Sequence, residues 1–101
     1  TPNRAEFAKT RVGAGPKNTR RFVLDLAGEK LKNIDAASVH GNVTADKGEI
    51  RNIVAQPNPG TGGWRLSFEL DTKKAPVVEL RAQLMQGDAP LSEIWLYRWT
   101  P

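Results

Sequence analysis

Trp64-Arg65-Leu66-Ser67-Phe68-Glu69-Leu70-Asp71 is the stretch that decides the fold. Trp64, Leu66, Phe68 and Leu70 take every second position, and Arg65, Ser67, Glu69 and Asp71 take the positions between. Successive side chains of an extended chain point to opposite faces, so this is a strand with one dry and one wet side. The same alternation recurs on both sides of it. Residues 20–26 place Phe22, Leu24 and Leu26 on one face, and 39–45, 49–56, 77–86 and 91–99 read as further strands. Residues 5–12 alternate weakly and carry much charge, which predicts an edge strand.

Punctuation separates the runs. Gly13-Ala14-Gly15-Pro16-Lys17-Asn18, Pro57-Asn58-Pro59-Gly60-Thr61-Gly62-Gly63 and Gly87-Asp88-Ala89-Pro90 are loops, because no regular element holds such residues. Asp46-Lys47-Gly48 is a tight turn, and it predicts a hairpin between 39–45 and 49–56. Residues 31–37 fit either a bridging segment or one helical turn, and no run of 11 or more residues sustains helical periodicity. Seven strands at this spacing predict an all-β fold, an immunoglobulin-like β-sandwich of about seven antiparallel strands. The 101 residues make one domain, with 1–10 as linker and edge segment and 1–3 as its frayed or linking end. Absence of a Met or a leader pattern at Thr1 reads as a mature or excised piece of a longer chain.

Composition removes several chemistries. With no cysteine there is no disulfide and no thiol nucleophile; the lone histidine, His40, makes no His/Cys cluster at ligand spacing, and a nucleophilic site would need His40 alone as its base, where a packed or solvated role is expected instead. We therefore expect no metal and no cofactor. No apolar stretch approaches the roughly 20 residues that span a bilayer. Gly60–Gly63 lacks the Gly-Lys-Ser/Thr that cradles phosphate, so it is a turn, and Asn42-Val43-Thr44 matches a glycosylation sequon. Glu69 and Asp71, two apart on one strand, would stand roughly 6.6 Å apart, near the spacing of inverting glycosidases. Both lie on the wet face beside Arg65, without the apolar pocket that a general acid needs. No catalytic residue is assigned.

Two features point to surfaces instead. Residues 1–32 carry eight Lys and Arg against three Asp and Glu within a net charge of +4, and Arg11, Lys17, Arg20 and Arg21 form a candidate basic patch. Its bland reading is a solvated, aggregation-resistant edge; its functional reading is a polyanion-binding arm. At the other end Trp95, Tyr97 and Trp99 share one face of the last strand while Ile94 and Leu96 share the other. Both faces are apolar, so one meets the core and the other meets a sugar ring, a partner domain or the N-terminal segment. Trp95, Tyr97 and Trp99 are the candidate docking or sugar-stacking residues.

The succession Arg20-Arg21-Phe22-Val23-Leu24-Asp25-Leu26, Thr61-Gly62-Gly63-Trp64-Arg65-Leu66-Ser67-Phe68, Val78-Glu79-Leu80-Arg81-Ala82 and Leu91-Ser92-Glu93-Ile94-Trp95-Leu96-Tyr97-Arg98-Trp99 carries a resemblance. It is similar to the C-terminal domain of the bacterial periplasmic glucan biosynthesis proteins, types G and D, over about residues 10–99. The Leu-Ser-Glu-x-Trp-x-Tyr ending is its most specific part. The resemblance implies a periplasmic location and a role in making osmoregulated β-1,2-linked glucans. It also implies that the glucan cleft and glucan-cleaving carboxylates belong to a larger N-terminal β-sandwich, which this chain does not include. No family catalytic residue therefore maps here. The expectation is a non-catalytic accessory domain docking on the N-terminal glucan-binding domain of the same polypeptide, with a homodimer as a further partner. The alternatives are a carbohydrate-binding module that stacks β-glucan on the C-terminal aromatics and a polyanion-binding module. The polyanion-binding module ranks last of these and nucleic acid is not an expected partner, because aromatic residues do not interleave with the basic ones as in RNA-binding sheets.

Overall fold

The computed structural model describes residues 4–101, so the expected linking end at 1–3 lies outside the described residues. Strands β1 (Glu6–Ala14), β2 (Arg20–Ala27), β3 (Val39–Ala45), β4 (Glu49–Asn58), β5 (Gly63–Asp71), β6 (Val78–Gln86), β7 (Ala89–Pro90) and β8 (Trp95–Trp99) follow one another, with single 3-10 turns at Pro16–Asn18, Glu29–Leu31 and Ala36–Ser38. One antiparallel sheet runs β1-β2-β5-β4. In the other, β6 pairs along its length with β3, and with β7 and β8 at its two ends. Taking β7 and β8 as one broken last strand, this is the strand order of a constant-type immunoglobulin sandwich. The all-β, seven-strand expectation matches the structure.

The core follows from the alternation. Phe22, Leu24 and Leu26 of β2 and Trp64, Leu66, Phe68 and Leu70 of β5 are all buried, and register sets Phe22 against Phe68 and Leu24 against Leu66. From the facing sheet Val78, Leu80, Ala82 and Leu84 of β6, with Trp95 and Trp99 of β8, close the interior. Immunoglobulin domains commonly pack a strand-three Trp on a disulfide at this point. Here the corresponding strand offers Gly41, whose absent side chain leaves room for Leu66, while the aromatic mass comes from β2, β5 and β8. Among the described residues β1 pairs only with β2, and it is mostly exposed, as its weak alternation predicts.

Several expectations are corrected. β3 and β4 are not a hairpin: β3 pairs with β6 and β4 with β5, so Asp46-Lys47-Gly48 carries the chain from one sheet to the other. Asp46 fixes the departure point, its N–H donating to Glu79 O at 3.1 Å and its carboxylate accepting from Glu79 N–H at 2.8 Å. Gly48 then turns at φ +78 so close to the Asp71 carbonyl that a Cβ would lie 2.3 Å from it. The second correction concerns 91–99, which is not one strand. Ala89 and Pro90, expected within a loop, pair with β6, and Ser92 forms a parallel bridge to Ala5 before β8 begins at Trp95. β4 likewise runs on through Pro57 and Asn58, expected as loop, which instead pair with Trp64 and Gly63.

Candidate functional site

The last strand presents its two faces unequally. Trp95 and Trp99 are buried and Tyr97 is half-buried, all turned toward the interior. Trp95 stacks on Tyr97 at 5.2 Å, meets the edges of Phe22 and Phe68 at 6.0 and 6.2 Å, and its indole N–H donates to Thr10 Oγ1 at 3.1 Å. The Arg20 guanidinium sits 5.9 Å over the Trp99 ring. The aromatic trio therefore supplies the core-facing side of β8, and no flat ring among them lies open for a sugar. The outward side is Leu96, 73% exposed, with Ile94 at 45% and Arg98 paired to Glu79. Leu96 registers with Arg81, which registers with Thr44. The incoming chain is tied beside this face: Ala5 N–H donates to Leu91 O at 2.8 Å, Glu93 N–H donates to Ala5 O at 2.9 Å, and Phe7 N–H donates to the Glu93 carboxylate.

An open groove of about 400 Å³ marks the end of the sandwich where residue 5 enters. Residues 31–34 form one bank, 57–59 and 62–63 the other, and Trp64 the floor. A second hollow of about 320 Å³ adjoins it and shares Lys32, Gly62 and Gly63. Local sequence sets both banks. Asn33 takes the left-handed φ +59 that asparagine tolerates, which bends the chain after Leu31 has plugged the core. On the facing bank Asn58 O accepts the N–H groups of Thr61 and Gly62 at 3.2 and 2.9 Å, closing a tight loop between Pro57 and β5. Gly63 has to be glycine, since a Cβ would lie 2.0 Å from Leu26 O.

The family model described as "Periplasmic glucan biosynthesis protein, MdoG" matches residues 1–99 of the chain. The chain belongs to this family. It is 66% identical over 97 residues to Glucans biosynthesis protein G of Rhodopseudomonas palustris, covering 96% of this chain and 19% of that protein. It is 39% identical over 97 residues to the Glucans biosynthesis protein G of Vibrio cholerae, covering 96% of this chain and 16% of the relative. Glucans biosynthesis protein D 1 of Ralstonia nicotianae is 37% identical over 109 residues, 99% of this chain and 20% of that protein. The chain thus spans about a fifth of the curated relatives it matches, and the family expected from the resemblance is the family it has.

In this family member one cluster of ion pairs occupies the outer face of the first sheet. Asp25 accepts from Arg65 Nε at 2.8 Å and lies 3.6 Å from Arg11, and the Arg65 hydrogen bond holds its carboxyl below the ordinary aspartate range. The candidate basic patch is divided. Arg11 and Arg21 are exposed on that outer face, Arg20 turns in over Trp99, and Lys17 sits exposed in the Pro16–Asn18 turn at φ +51. The four do not make one positive surface. Glu69 accepts from Asn52 at 2.8 Å, while Asp71 accepts from the Lys73 N–H at 3.0 Å and pairs with Arg51 at 3.1 Å. That backbone hydrogen bond lowers the Asp71 pKa, the opposite of what a general acid needs. His40 and Asn42 are exposed on β3. The end groove was not anticipated, because its banks lie in segments without periodicity.

Proposed function

We propose that this chain is the non-catalytic, C-terminal accessory domain of a periplasmic protein that serves osmoregulated β-1,2-glucan synthesis, and that it docks on the larger glucan-cleft domain of the same polypeptide. One observation carries the reading. Ile94 and Leu96 stand exposed two and four residues past Ser92, the residue that bridges to Ala5. An exposed large aliphatic flanked by another is surface that gains by being covered, at about 25 cal/mol for each Å² removed from water. The chain spans about a fifth of the length of its relatives; a cleft domain joined to it in one polypeptide would be tethered near that strip and would need little intrinsic affinity to occupy it. The carboxylates support the non-catalytic half of the reading. Asp25 and Asp71 are ion-paired on an outer face with their pKa values lowered, the opposite of what an acid catalyst needs.

The test is Leu96→Glu in the long protein and in this 101-residue chain. The substitution should leave the thermal midpoint of the short chain unchanged, because Leu96 touches solvent. In the long protein it should free the domain, seen as faster protease cleavage near Ala5 and a larger radius of gyration by X-ray scattering. Equal cleavage and equal dimensions of the two long proteins would refute docking through this face.

A further inference from the structure

We propose that the groove between residues 31–34 and 57–63 is a binding site for one or two sugar units of a neutral glucan, so that this part of the polypeptide touches the polymer itself. The inference rests on the glucan reading above, and it places the contact at the end of the sandwich, away from the C-terminal aromatics. The deciding observation is Trp64. Its side chain is almost wholly buried, yet its indole N–H meets no acceptor among the described residues. No sealed side-chain nitrogen or oxygen lacks a partner there, so this N–H is open, and the cavity its residue floors is the groove. A buried tryptophan normally finds a partner for its N–H within the protein. Here the donor is left for an acceptor that enters from outside.

The surroundings fit a sugar better than other ligands. Asn33 and Asn58 stand on opposite banks, and a carboxamide can both donate to and accept from vicinal hydroxyl groups. Ile34 and Pro57 offer apolar surface for the C–H faces of a pyranose ring. The charge balance argues against anions: Lys32, the one cation among the described residues that line the main groove, is paired with Glu29 at 3.3 Å. A volume of about 400 Å³ is at the lower end for small-ligand sites, which run from about 300 to 1,000 Å³. The banks are already shaped, one by the Asn58 loop bonds and proline and the other by the left-handed Asn33, so little ordering is required on binding. With one indole donor and two amides as polar anchors, affinity should be weak, with a Kd of about 1 mM.

The test is an NMR titration of the 101-residue chain with linear β-1,2-glucotetraose, following the Trp64 indole N–H and the Asn33 and Asn58 amides. Saturable shifts confined to these groups are expected. In the double variant Asn33→Gly, Asn58→Ala, Kd should rise at least fivefold while distant resonances stay in place; glycine at 33 keeps the positive φ, so the bank survives. Lys32→Met should bind nearly as the parent does, because the ligand is neutral. Absence of an indole shift up to about 20 mM sugar, well above a millimolar Kd, overturns the proposal. Shifts that persist unchanged in the double variant also overturn it. Docking is read separately through Leu96→Glu, so a negative titration beside successful docking sinks the groove alone.

Discussion

Replacing Phe22 by alanine tests the claim that one ring ties the two sheets together. Phe22 is fully buried, lies parallel to Phe68 at 5.0 Å within its own sheet, and meets Trp95 and Tyr97 of the other sheet edge-on at 6.0 and 5.5 Å. Burying roughly 150 Å² of apolar ring at about 25 cal/mol/Å² contributes about 4 kcal/mol. Core Phe→Ala changes cost about 3–5 kcal/mol when the cavity term is included. Three aromatic partners place this site in the upper half of that range, so we expect a loss of about 4 kcal/mol. A domain of this size has about 5–15 kcal/mol in total, so most of a modest reserve would go. At about 4–8 °C per kcal/mol the thermal midpoint should fall by roughly 16–32 °C. Urea unfolding followed by tryptophan fluorescence reads the loss directly, because Trp95 lies against the deleted ring. Phe22→Leu keeps most of the volume and should cost only about 1–2 kcal/mol. A loss below about 1.5 kcal/mol in the alanine variant, or equal losses in the two, would mean that the interior does not depend on this cluster.

Gly48→Ala should destabilise by about 3 kcal/mol or more, since it adds a left-handed residue and sets a Cβ against the Asp71 carbonyl; a urea midpoint within error of the parent would contradict the sheet-crossing turn. Acid should weaken the fold through Asp25. The Arg65 hydrogen bond lowers its pKa in the folded state, so its contribution is present above the unfolded value and disappears as pH falls through the folded one. Between about pH 5 and pH 2 the parent should lose more stability than Asp25→Asn, whereas near neutrality the variant should be the weaker, with Arg65 and Arg11 left unpaired. A parent-variant difference that stays constant across acid titration would remove the ion pair from the account.

The dry faces of β2 and β5 were legible because alternation is a direct imprint of burial on a sheet with one solvated side. Every apolar residue read as inward between Trp64 and Leu70 is inward. Pairing was less legible. Asp46-Lys47-Gly48 has the local chemistry of a hairpin turn, but Gly41 fitting beneath Leu66 and Asp46 bonding to Glu79 are contacts between distant parts of the chain. They draw β3 away from β4. On β8 both faces are oily, and alternation alone does not say which one turns inward. The fit of Trp95 among Phe22, Phe68 and Tyr97 decides it. The groove left the faintest trace, two asparagines in non-repeating segments more than twenty positions apart.

The crossing from β3 to β4 also bears on how quickly this molecule assembles. Only β1 with β2, β4 with β5, and β6 with β7 join neighbours in the chain; β2 must find β5, β3 must find β6, and β8 must fold back past β7 onto β6. Loop closure over such separations precedes its reward, which places refolding in the millisecond-to-second range typical of non-local β topologies. A newly made chain would therefore pass through a stage in which the rims of β2, β5 and β6, which are inner strands of the finished sheets, lie unguarded, and that interval is when crowding and high concentration do most harm.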